Sequence, residues 1–313
     1  MKVGIAGAGA VGSFFGAILQ KADHEVVFLA RGKHLQAMKQ NGLIVKNEDE
    51  SFSIRSTFTD DLNDLSECEL ILLCVKANDT EQIAKQLLPI LTKDALILTM
   101  QNGVDNEETL SRIFGSERIL SCATYVQISI DAPGIINQQG RVKLVIGELD
   151  NSVKNLCSKI ITQFQQAGLD IVHTENILEK KWRKLLWNIT FNPLSAISTA
   201  KVGEILDDKH LRETAESICR EAIEVAQEVG IMLDSSRTME TIFANAERAK
   251  THKTSMLQDR ISGKQMEVES VCGFVIRKAE ELKLQVPTIQ AAYGILSFYN
   301  EKQSISSDKL ITK

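Results

Sequence analysis

The chain has 313 residues, of which 43% are hydrophobic and 25% are charged, a composition typical of a soluble globular protein with two domains. Its formal net charge of -5 excludes the clustered excess of lysine and arginine that marks nucleic-acid-binding proteins. Because no apolar run approaches the roughly 18 residues that span a bilayer and no signal-peptide pattern opens the chain, we expect a cytoplasmic protein with no nucleic-acid or membrane partner.

The first half of the chain alternates short apolar runs with helical patterns. Strands are predicted at Lys2–Ala6, Glu25–Leu29, Leu70–Val75, Ala95–Thr99, Ile119–Ile130 and Arg141–Ile146, and helices at Val11–Ala22 and Glu81–Leu91. Ser51–Ser56 is expected to belong to a short excursion from this pattern. The run Leu70–Val75 is apolar throughout, as in a strand that is buried on both faces. This alternation indicates a parallel sheet that is covered by helices on both sides.

From about residue 175 onwards, helical periodicity replaces the strand patterns. Helices are predicted at Glu179–Phe191, Asp208–Val229, Arg237–Arg248, Val268–Glu281 and Thr288–Asn300. Pro193 is expected to end or bend the first of them just beyond Asn192. We therefore predict an α/β Rossmann-like dinucleotide-binding domain over residues 1–172, followed by an all-α substrate and catalytic domain over residues 173–313.

A glycine-rich turn lies between the first predicted strand and the first predicted helix. Its residues Gly7, Ala8, Gly9, Ala10, Val11 and Gly12 fit the pattern GxGxxG. The first glycine permits a tight turn, the second lets the backbone approach a pyrophosphate, and the third allows close packing of helix on strand. The phosphates then lie at a helix N-terminus. We expect these six residues to bind a dinucleotide; a merely glycine-rich turn is the alternative.

The residue that follows the second strand distinguishes the two nicotinamide dinucleotides. An NAD enzyme usually carries Asp or Glu there, which binds the ribose 2′-hydroxyl. Here Glu25–Leu29 is followed by Arg31, with Lys33 nearby, and a guanidinium pairs well with a 2′-phosphate. The sequence therefore predicts NADP(H) as the cofactor and Arg31 as a ligand of its 2′-phosphate, with a solvated surface arginine as the alternative.

Further polar residues stand where ligands bind in such folds. Lys76 and Asn102 follow the ends of two strands, which is where open α/β sheets place ligands, although a solvated strand end and an ordinary turn have the same appearance. In the helical half, Lys184, Asn188 and Asn192 recur every four residues and form one stripe of a helix. Such groups are costly to bury on an apolar helix unless they bind something, but a plain surface stripe has the same spacing.

The cysteines and histidines do not suggest a metal site. The six cysteines include no CxxC pair, and the five histidines include no HxH or HxxxH pair near an acidic partner. We therefore expect buried, reduced cysteines and no bound metal.

These motifs, in this order, resemble the ketopantoate reductase (2-dehydropantoate 2-reductase) family along nearly the whole chain. The markers are Gly7–Gly12, Val75-Lys76-Ala77, Gln101-Asn102-Gly103, Trp182-Arg183-Lys184-Leu185 with Asn188, Asn192-Pro193-Leu194, Ser255-Met256-Leu257-Gln258-Asp259, and Glu267. The resemblance implies NADPH-dependent reduction of 2-dehydropantoate to (R)-pantoate, in pantothenate and coenzyme A biosynthesis. The partner would be a small 2-keto acid and the protein a monomer or a homodimer.

The resemblance also implies a role for each matching residue. Lys184 and Glu267 would be the catalytic residues, and Lys76 and Asn102 would lie where cofactor and substrate meet. The substrate-binding residues would be Lys184, Asn188, Asn192 and Ser255.

Two positions depart from the family pattern. Val202 stands where some members carry Asn, and Asp79 stands where some carry a neutral amide. These departures keep open the hypothesis of a related NAD(P)-dependent reductase of another 2-keto acid. A nucleotide-sensing protein without catalysis is a further hypothesis, because Rossmann-like folds serve many functions.

Overall fold

A computed structural model of the chain describes residues 1–48 and 50–311, with the backbone alone for residues 303–311. Packing divides it into two units, Met1–Lys180 and Lys181–Lys313. The first unit is a sheet with helices and the second is helical, so the predicted fold class, a Rossmann-like α/β domain followed by an all-α domain, is confirmed.

The first unit is built on one mixed sheet. Its strands, in chain order, are β1 (Lys2–Ala6), β2 (Glu25–Leu29), β3 (Leu43–Lys46), β4 (Ser51–Ile54), β5 (Thr57–Thr59), β6 (Leu70–Leu73), β7 (Leu96–Thr99), β8 (Ile119–Ala132), β9 (Ile135–Glu148) and β10 (Ile171–His173). Across the sheet the order is β4-β3-β9-β8-β7-β6-β1-β2-β5, with β10 paired to β9. The strands from β8 to β5 in this order are parallel, whereas β9 runs antiparallel to β8.

The strand β6 shows why the sheet needs uninterrupted apolar runs. Its residues Leu70 and Leu72 pack into one hydrophobic core, and Ile71 and Leu73 pack into a second. Since successive side chains of a strand point to opposite faces, both faces of β6 must be apolar. The predicted strand is thus confirmed, although it ends at Leu73 and leaves Val75 to the following loop.

The helices that the structure describes in the first unit are α1 (Ala10–Lys21), α2 (Gly32–Asn41), α3 (Thr80–Leu87), α4 (Asn106–Phe114) and α5 (Lys154–Gln166). The sequence patterns predict α1 and α3 but miss the other three. In α2, for example, only Leu35 and Met38 are buried, so the apolar stripe is too short to stand out from a polar loop.

The first unit extends past the predicted boundary at residue 172. That residue lies inside β10, which pairs in parallel with β9 and sets Val172 opposite Val145. A strand of three residues leaves too little pattern to be read from the sequence. The chain therefore stays in the sheet up to His173, and the division by packing follows Lys180.

The second unit consists of helices in the part of the chain that the structure describes. These are α6 (Ile177–Ser198), which begins in the first unit, α7 (Val202–Asp207), α8 (Lys209–Glu228), α9 (Ser235–Arg248), α10 (Ser255–Ile261), α11 (Phe274–Leu282) and α12 (Pro287–Ile311). A turn of π-helix over Glu269–Gly273 precedes α11 and interrupts the single helix predicted there. Over the described ranges, no helix combines the length and the apolarity needed to cross a bilayer.

The helix α6 does not end at Pro193. It continues to Ser198, so of the two outcomes expected at this proline an end of the helix is excluded. A proline inside a helix removes one backbone hydrogen bond. The last turn gains partners from elsewhere in the unit, because the Arg260 guanidinium donates to the carbonyl oxygen of Ile197 at 2.9 Å and also to that of Ala196.

Candidate active site

Two glycines of the turn after β1 are required by the fold itself. Gly7 has a φ of 99°, in the left-handed region, and a Cβ at this position would lie 2.7 Å from the backbone nitrogen of Val75. A Cβ at Gly12, in the first turn of α1, would overlap the carbonyl oxygen of Gly7. A side chain at either position would push the turn or the helix away from the sheet.

Gly9, in contrast, faces open space. Among the described residues, no heavy atom comes within 4 Å of a Cβ built there. Gly9 is the N-cap of α1, whose first turn contains no acidic residue and whose first amide groups have no partner within the helix. An anion can therefore approach this backbone closely, and the turn from Gly7 to Gly12 fits the pyrophosphate of a dinucleotide.

The turn is fastened to the strand ends on both of its sides. The amide of Ala8 donates to the carbonyl oxygen of Leu29 at the end of β2, at 2.8 Å. The amide of Cys74, just past β6, donates to the carbonyl oxygen of Ala6 at 2.8 Å. Since β1 lies between β2 and β6, the loops that follow those two strands flank the glycine turn.

Arg31 lies in the first of these loops, as the N-cap of α2. Its side chain is 92% exposed, and its Nη2 atom lies 3.5 Å from Oδ2 of Asp79, which comes from the loop after β6. Lys33, in the first turn of α2, is also exposed. The predicted position of Arg31 at the strand end agrees with the structure, while its binding to a 2′-phosphate stays a prediction.

Lys76 and Asn102 lie at the same edge of the sheet. Lys76 follows β6 and is exposed, and Asn102 follows β7 and is half-buried. The two strands are parallel neighbours, with Leu73 opposite Thr99, so their carboxyl ends coincide. The structure thus brings both residues to the edge where the glycine turn lies.

A buried network of amides and hydroxyls, which the sequence analysis missed, holds these two loops. The Gln101 side-chain nitrogen donates to the carbonyl oxygen of Val75 at 2.8 Å and to the Thr80 hydroxyl at 2.7 Å. That hydroxyl donates to Oδ1 of Asn106 at 2.8 Å, and Nδ2 of Asn106 donates to the carbonyl oxygen of Asn102 at 2.8 Å. The network therefore forms hydrogen bonds with the backbone at Val75, beside Lys76, and at Asn102. The sequence holds one signal of it: Gln101 and Asn106 bracket the Asn102-Gly103 turn.

His34 lies against the first turn of α1. Its Nε2 atom is 3.3 Å from the Ser13 hydroxyl, and its Nδ1 atom accepts from the amide of Gly134 at 3.0 Å. Burial lowers the pKa of His34, so its ring is neutral near pH 7. The imidazole of His34 therefore adds no positive charge beside the first turn of α1 near pH 7.

In the second unit, α6 carries the stripe of Lys184, Asn188 and Asn192. Lys184 and Asn188 are half-buried, and Asn192 is 4% exposed. Aromatic contacts fix the faces beside the stripe: the Trp187 and Phe191 rings lie 4.9 Å apart, and Phe191 contacts Phe243 of α9 at 5.7 Å. The stripe is therefore partly inside the protein and is not a plain surface stripe, while the binding of a ligand by these residues stays a prediction.

The other predicted residues of this unit lie on separate elements. Ser255 is the exposed first residue of α10, and Glu267 is half-buried just before the π-helical turn. Asn300 of α12 holds the segment next to Glu267, since its side chain accepts from the amide of Met266 and donates to the carbonyl oxygen of Met266, both at 3.0 Å. The sequence analysis missed this contact of Asn300.

Val202, one of the two departures from the family pattern, is part of the core. It begins α7, its side chain is fully buried, and its amide donates to the carbonyl oxygen of His252 at 3.2 Å. An apolar residue at this position therefore fits the packing of the unit.

A cluster of Glu148, Cys157 and His173 lies at the end of β9. One ligand atom from each lies within 4.8 Å of the others, and His173 Nε2 is 2.8 Å from Oε2 of Glu148. Burial would raise the pKa of Glu148, but hydrogen bonds from His173, from the backbone and from Cys157 outweigh it and lower that pKa. Its three residues are far apart in the sequence, so no short motif reveals the cluster.

All six cysteines are free thiols, and burial raises the pKa of Cys157 to about 12. The absence of a bound metal stays a prediction.

Comparison with known proteins matches both parts of the chain to models of one family. Residues 3–151 match the family model described as "Ketopantoate reductase PanE/ApbA", and residues 176–300 match that described as "Ketopantoate reductase PanE/ApbA C terminal". The chain is 31% identical to the 2-dehydropantoate 2-reductase of Archaeoglobus fulgidus, over 90% of this chain and 91% of that protein.

Two solved structures with the same fold are named for activities that differ from each other. A PanE/ApbA family ketopantoate reductase from Ralstonia eutropha superposes with a TM-score of 0.91 at 30% identity, over 97% of this chain and 100% of the other. A D-mandelate dehydrogenase, solved with NADH and anilino(oxo)acetate, superposes with a TM-score of 0.90 at 23% identity over the same shares, which shows a common fold alone.

Proposed function

Because this chain belongs to the ketopantoate reductase family, we propose that it reduces 2-dehydropantoate to (R)-pantoate with NADPH, a step towards pantothenate and coenzyme A. The observation that carries the proposal is the stripe on α6, where a lysine and two asparagines line a largely buried helix in a chain that also has a turn suited to a pyrophosphate. The proposal places the enzyme in the cytoplasm, with a small 2-keto acid as its partner.

The residues of the first unit would hold the cofactor. A nicotinamide dinucleotide, when bound, supplies the hydride. The turn from Gly7 to Gly12 would bind its pyrophosphate through backbone amides, and Arg31 would bind the 2′-phosphate. Lys76 and Asn102 would contact the part of the cofactor nearest the substrate.

The residues of the second unit would handle the substrate and the proton. Addition of a hydride to the keto carbon leaves an alkoxide, which an ammonium at Lys184 would stabilise and then protonate. Burial disfavours a charged lysine, and a carboxylate at Glu267 would oppose that effect. Asn188, Asn192 and Ser255 would donate hydrogen bonds to the substrate carboxylate and hydroxyl.

The test is steady-state oxidation of NADPH in the presence of 2-dehydropantoate. We expect turnover that falls by about 10²- to 10⁴-fold in Lys184→Ala, while the affinity for NADPH stays within twofold. Lys209→Ala, which removes an exposed cation at the start of α8, serves as the control and should keep full activity. No turnover above background in the unaltered protein would overturn the proposal and leave two alternatives, a reductase of another 2-keto acid and a dinucleotide-binding protein without catalysis.

A second candidate is reduction of another 2-keto acid with either dinucleotide. Val202 and Asp79 favour it, because both depart from the family pattern and one of them lies beside the glycine turn. A panel of branched and aromatic 2-keto acids, each measured with NADPH and NADH, separates the candidates. Slower turnover of every other acid than of 2-dehydropantoate would exclude this one.

A further inference from the structure

The carboxylate of Asp79 reaches the guanidinium that the proposed function assigns to the 2′-phosphate. The two residues come from different loops, one after β2 and one after β6, and their contact at 3.5 Å passes beside the turn at the end of β1. Gly7 lies against the second of these loops, since a Cβ there would come within 2.7 Å of the Val75 nitrogen. The ion pair is thus placed next to the surface that fits a dinucleotide.

The local structure leaves Asp79 available for this contact. Asp79 is the N-cap of α3, and aspartate is among the residues that most often cap a helix through the side chain. Its side chain makes no such capping hydrogen bond in this helix. The carboxylate instead faces Arg31, so the local helix does not account for its orientation.

Stability does not account for the pair either. The Arg31 and Asp79 side chains are 92% and 41% exposed, and ion pairs at such positions contribute little to folding because water and salt screen them. A 2′-phosphate bound at Arg31, in contrast, would have to share the guanidinium with this carboxylate or displace it.

We propose that Asp79 is a specificity-determining residue that shifts the cofactor preference of this chain from NADPH towards NADH. The inference rests on the proposed function, since it assumes a nicotinamide dinucleotide on the glycine turn. With NADPH, the carboxylate competes with the 2′-phosphate for Arg31 and repels it. With NADH, it can accept a hydrogen bond from the ribose 2′-hydroxyl, the task that an acidic residue at the end of the second strand performs in NAD enzymes.

The experiment measures the dissociation constants of NADPH and NADH in the absence of keto acid, by the fluorescence of the reduced nicotinamide. Asp79→Asn keeps the size of the side chain and removes its charge. We expect it to tighten NADPH about three- to tenfold and to weaken NADH by a smaller factor, an effect on the scale of one exposed charge pair. The change in NADPH affinity should shrink in 1 M salt.

The chain offers a matched control in a second exposed ion pair, that of Arg141 on β9 with Asp170, the residue before β10, at 2.8 Å. Asp170→Asn should leave both dissociation constants unchanged. In an Arg31→Ala background, Asp79→Asn should lose most of its effect on NADPH, because the guanidinium for which the carboxylate and the phosphate compete is gone.

Two outcomes overturn the inference: equal changes for NADPH and NADH in Asp79→Asn, or no change for either. Both leave the proposed function intact as long as the unaltered protein binds a dinucleotide and turns over 2-dehydropantoate. Failure of the unaltered protein to bind either dinucleotide would overturn the proposed function as well, so the two failures are distinguishable.

Discussion

The carboxyl edge of the sheet and the helix α6 fix their candidate functional residues in different ways. At the sheet edge, the loops are held through their backbones: the amide of Ala8 and the carbonyl oxygens of Val75 and Asn102 all lie in hydrogen bonds that tie one loop to another. On α6, the regular helix sets the spacing of Lys184, Asn188 and Asn192, and aromatic contacts beside them hold the helix in position.

This difference predicts how function and stability are related in each region. At the sheet edge, the conformation that would bind a ligand is also the conformation that closes the fold, so one substitution affects both. On α6, a side chain of the stripe can be removed while the helix and its packing stay intact. Function and stability should therefore change together where a residue of the first region closes the fold, as at Gly7 and Gln101, and separately on α6.

Substitution of Gly7 should have the largest effect. Gly7→Ala places a Cβ at a φ of 99° and within 2.7 Å of the Val75 nitrogen. We expect a loss of about 2–4 kcal/mol in the free energy of unfolding, together with loss of dinucleotide binding. Urea denaturation and NADPH fluorescence measure the two effects.

Gly9→Ala is the matched control for this prediction. The added methyl group meets open space in the protein, so the free energy of unfolding should stay within about 0.5 kcal/mol. Dinucleotide affinity should still fall at least tenfold, because the methyl group lies where a pyrophosphate approaches. Unchanged binding in Gly9→Ala would contradict the assignment of the turn.

Removal of Gln101 should have the next largest effect. Gln101→Ala leaves the carbonyl oxygen of Val75 and the Thr80 hydroxyl without their shared donor. We expect a loss of about 1–3 kcal/mol in the free energy of unfolding and weaker dinucleotide binding, because the loop that carries Lys76 loosens. Gln127→Ala removes an exposed contact with Gln139 at 3.1 Å and should cost less than about 0.5 kcal/mol. Equal losses in the two variants would contradict a special role for the network.

The two regions also differ in how much of them could be predicted from the sequence. The glycine turn was predictable because the GxGxxG pattern between a strand and a helix is local in the sequence. The α6 stripe was predictable because helical spacing determines which side chains align. The hydrogen bonds of Gln101 with Thr80 and of Asn300 with Met266 could not be predicted, because each joins residues that are far apart in the sequence. The Arg31–Asp79 pair was hidden for the same reason.

Removal of Asn188 should have a smaller and separable effect. Asn188→Ala deletes a half-buried amide from the stripe but keeps the helix, because alanine is the best helix former. We expect the KM for 2-dehydropantoate to rise roughly tenfold, the worth of one or two lost hydrogen bonds. The NADPH affinity and the free energy of unfolding should stay nearly unchanged.

Asn245→Ala, at an exposed position of α9, is the control for a general effect of losing a helical asparagine, and it should leave KM unchanged. Loss of stability in parallel with the rise in KM for Asn188→Ala would show that α6 resembles the sheet edge, and the contrast between the regions would fail.

The smallest predicted effect is on the pH dependence of stability. It concerns the buried carboxylate of Glu148, the last residue of β9. Its side chain is 3% exposed and hydrogen-bonded to His173, and its pKa is lowered from the usual 4.5. A lowered pKa in the folded state means that the stabilisation is complete above about pH 4.5 and is lost as the pH falls through the folded-state pKa. Glu148→Gln cannot ionise, so its stability should fall less between pH 5.5 and pH 3.5 than that of the unaltered protein, by on the order of 1 kcal/mol in urea denaturation. Glu228→Gln, which removes an exposed carboxylate of α8, should retain the full pH dependence. If Glu148→Gln and the unaltered protein lost stability in parallel, the carboxylate would not be the acid-sensitive contact at this end of the sheet.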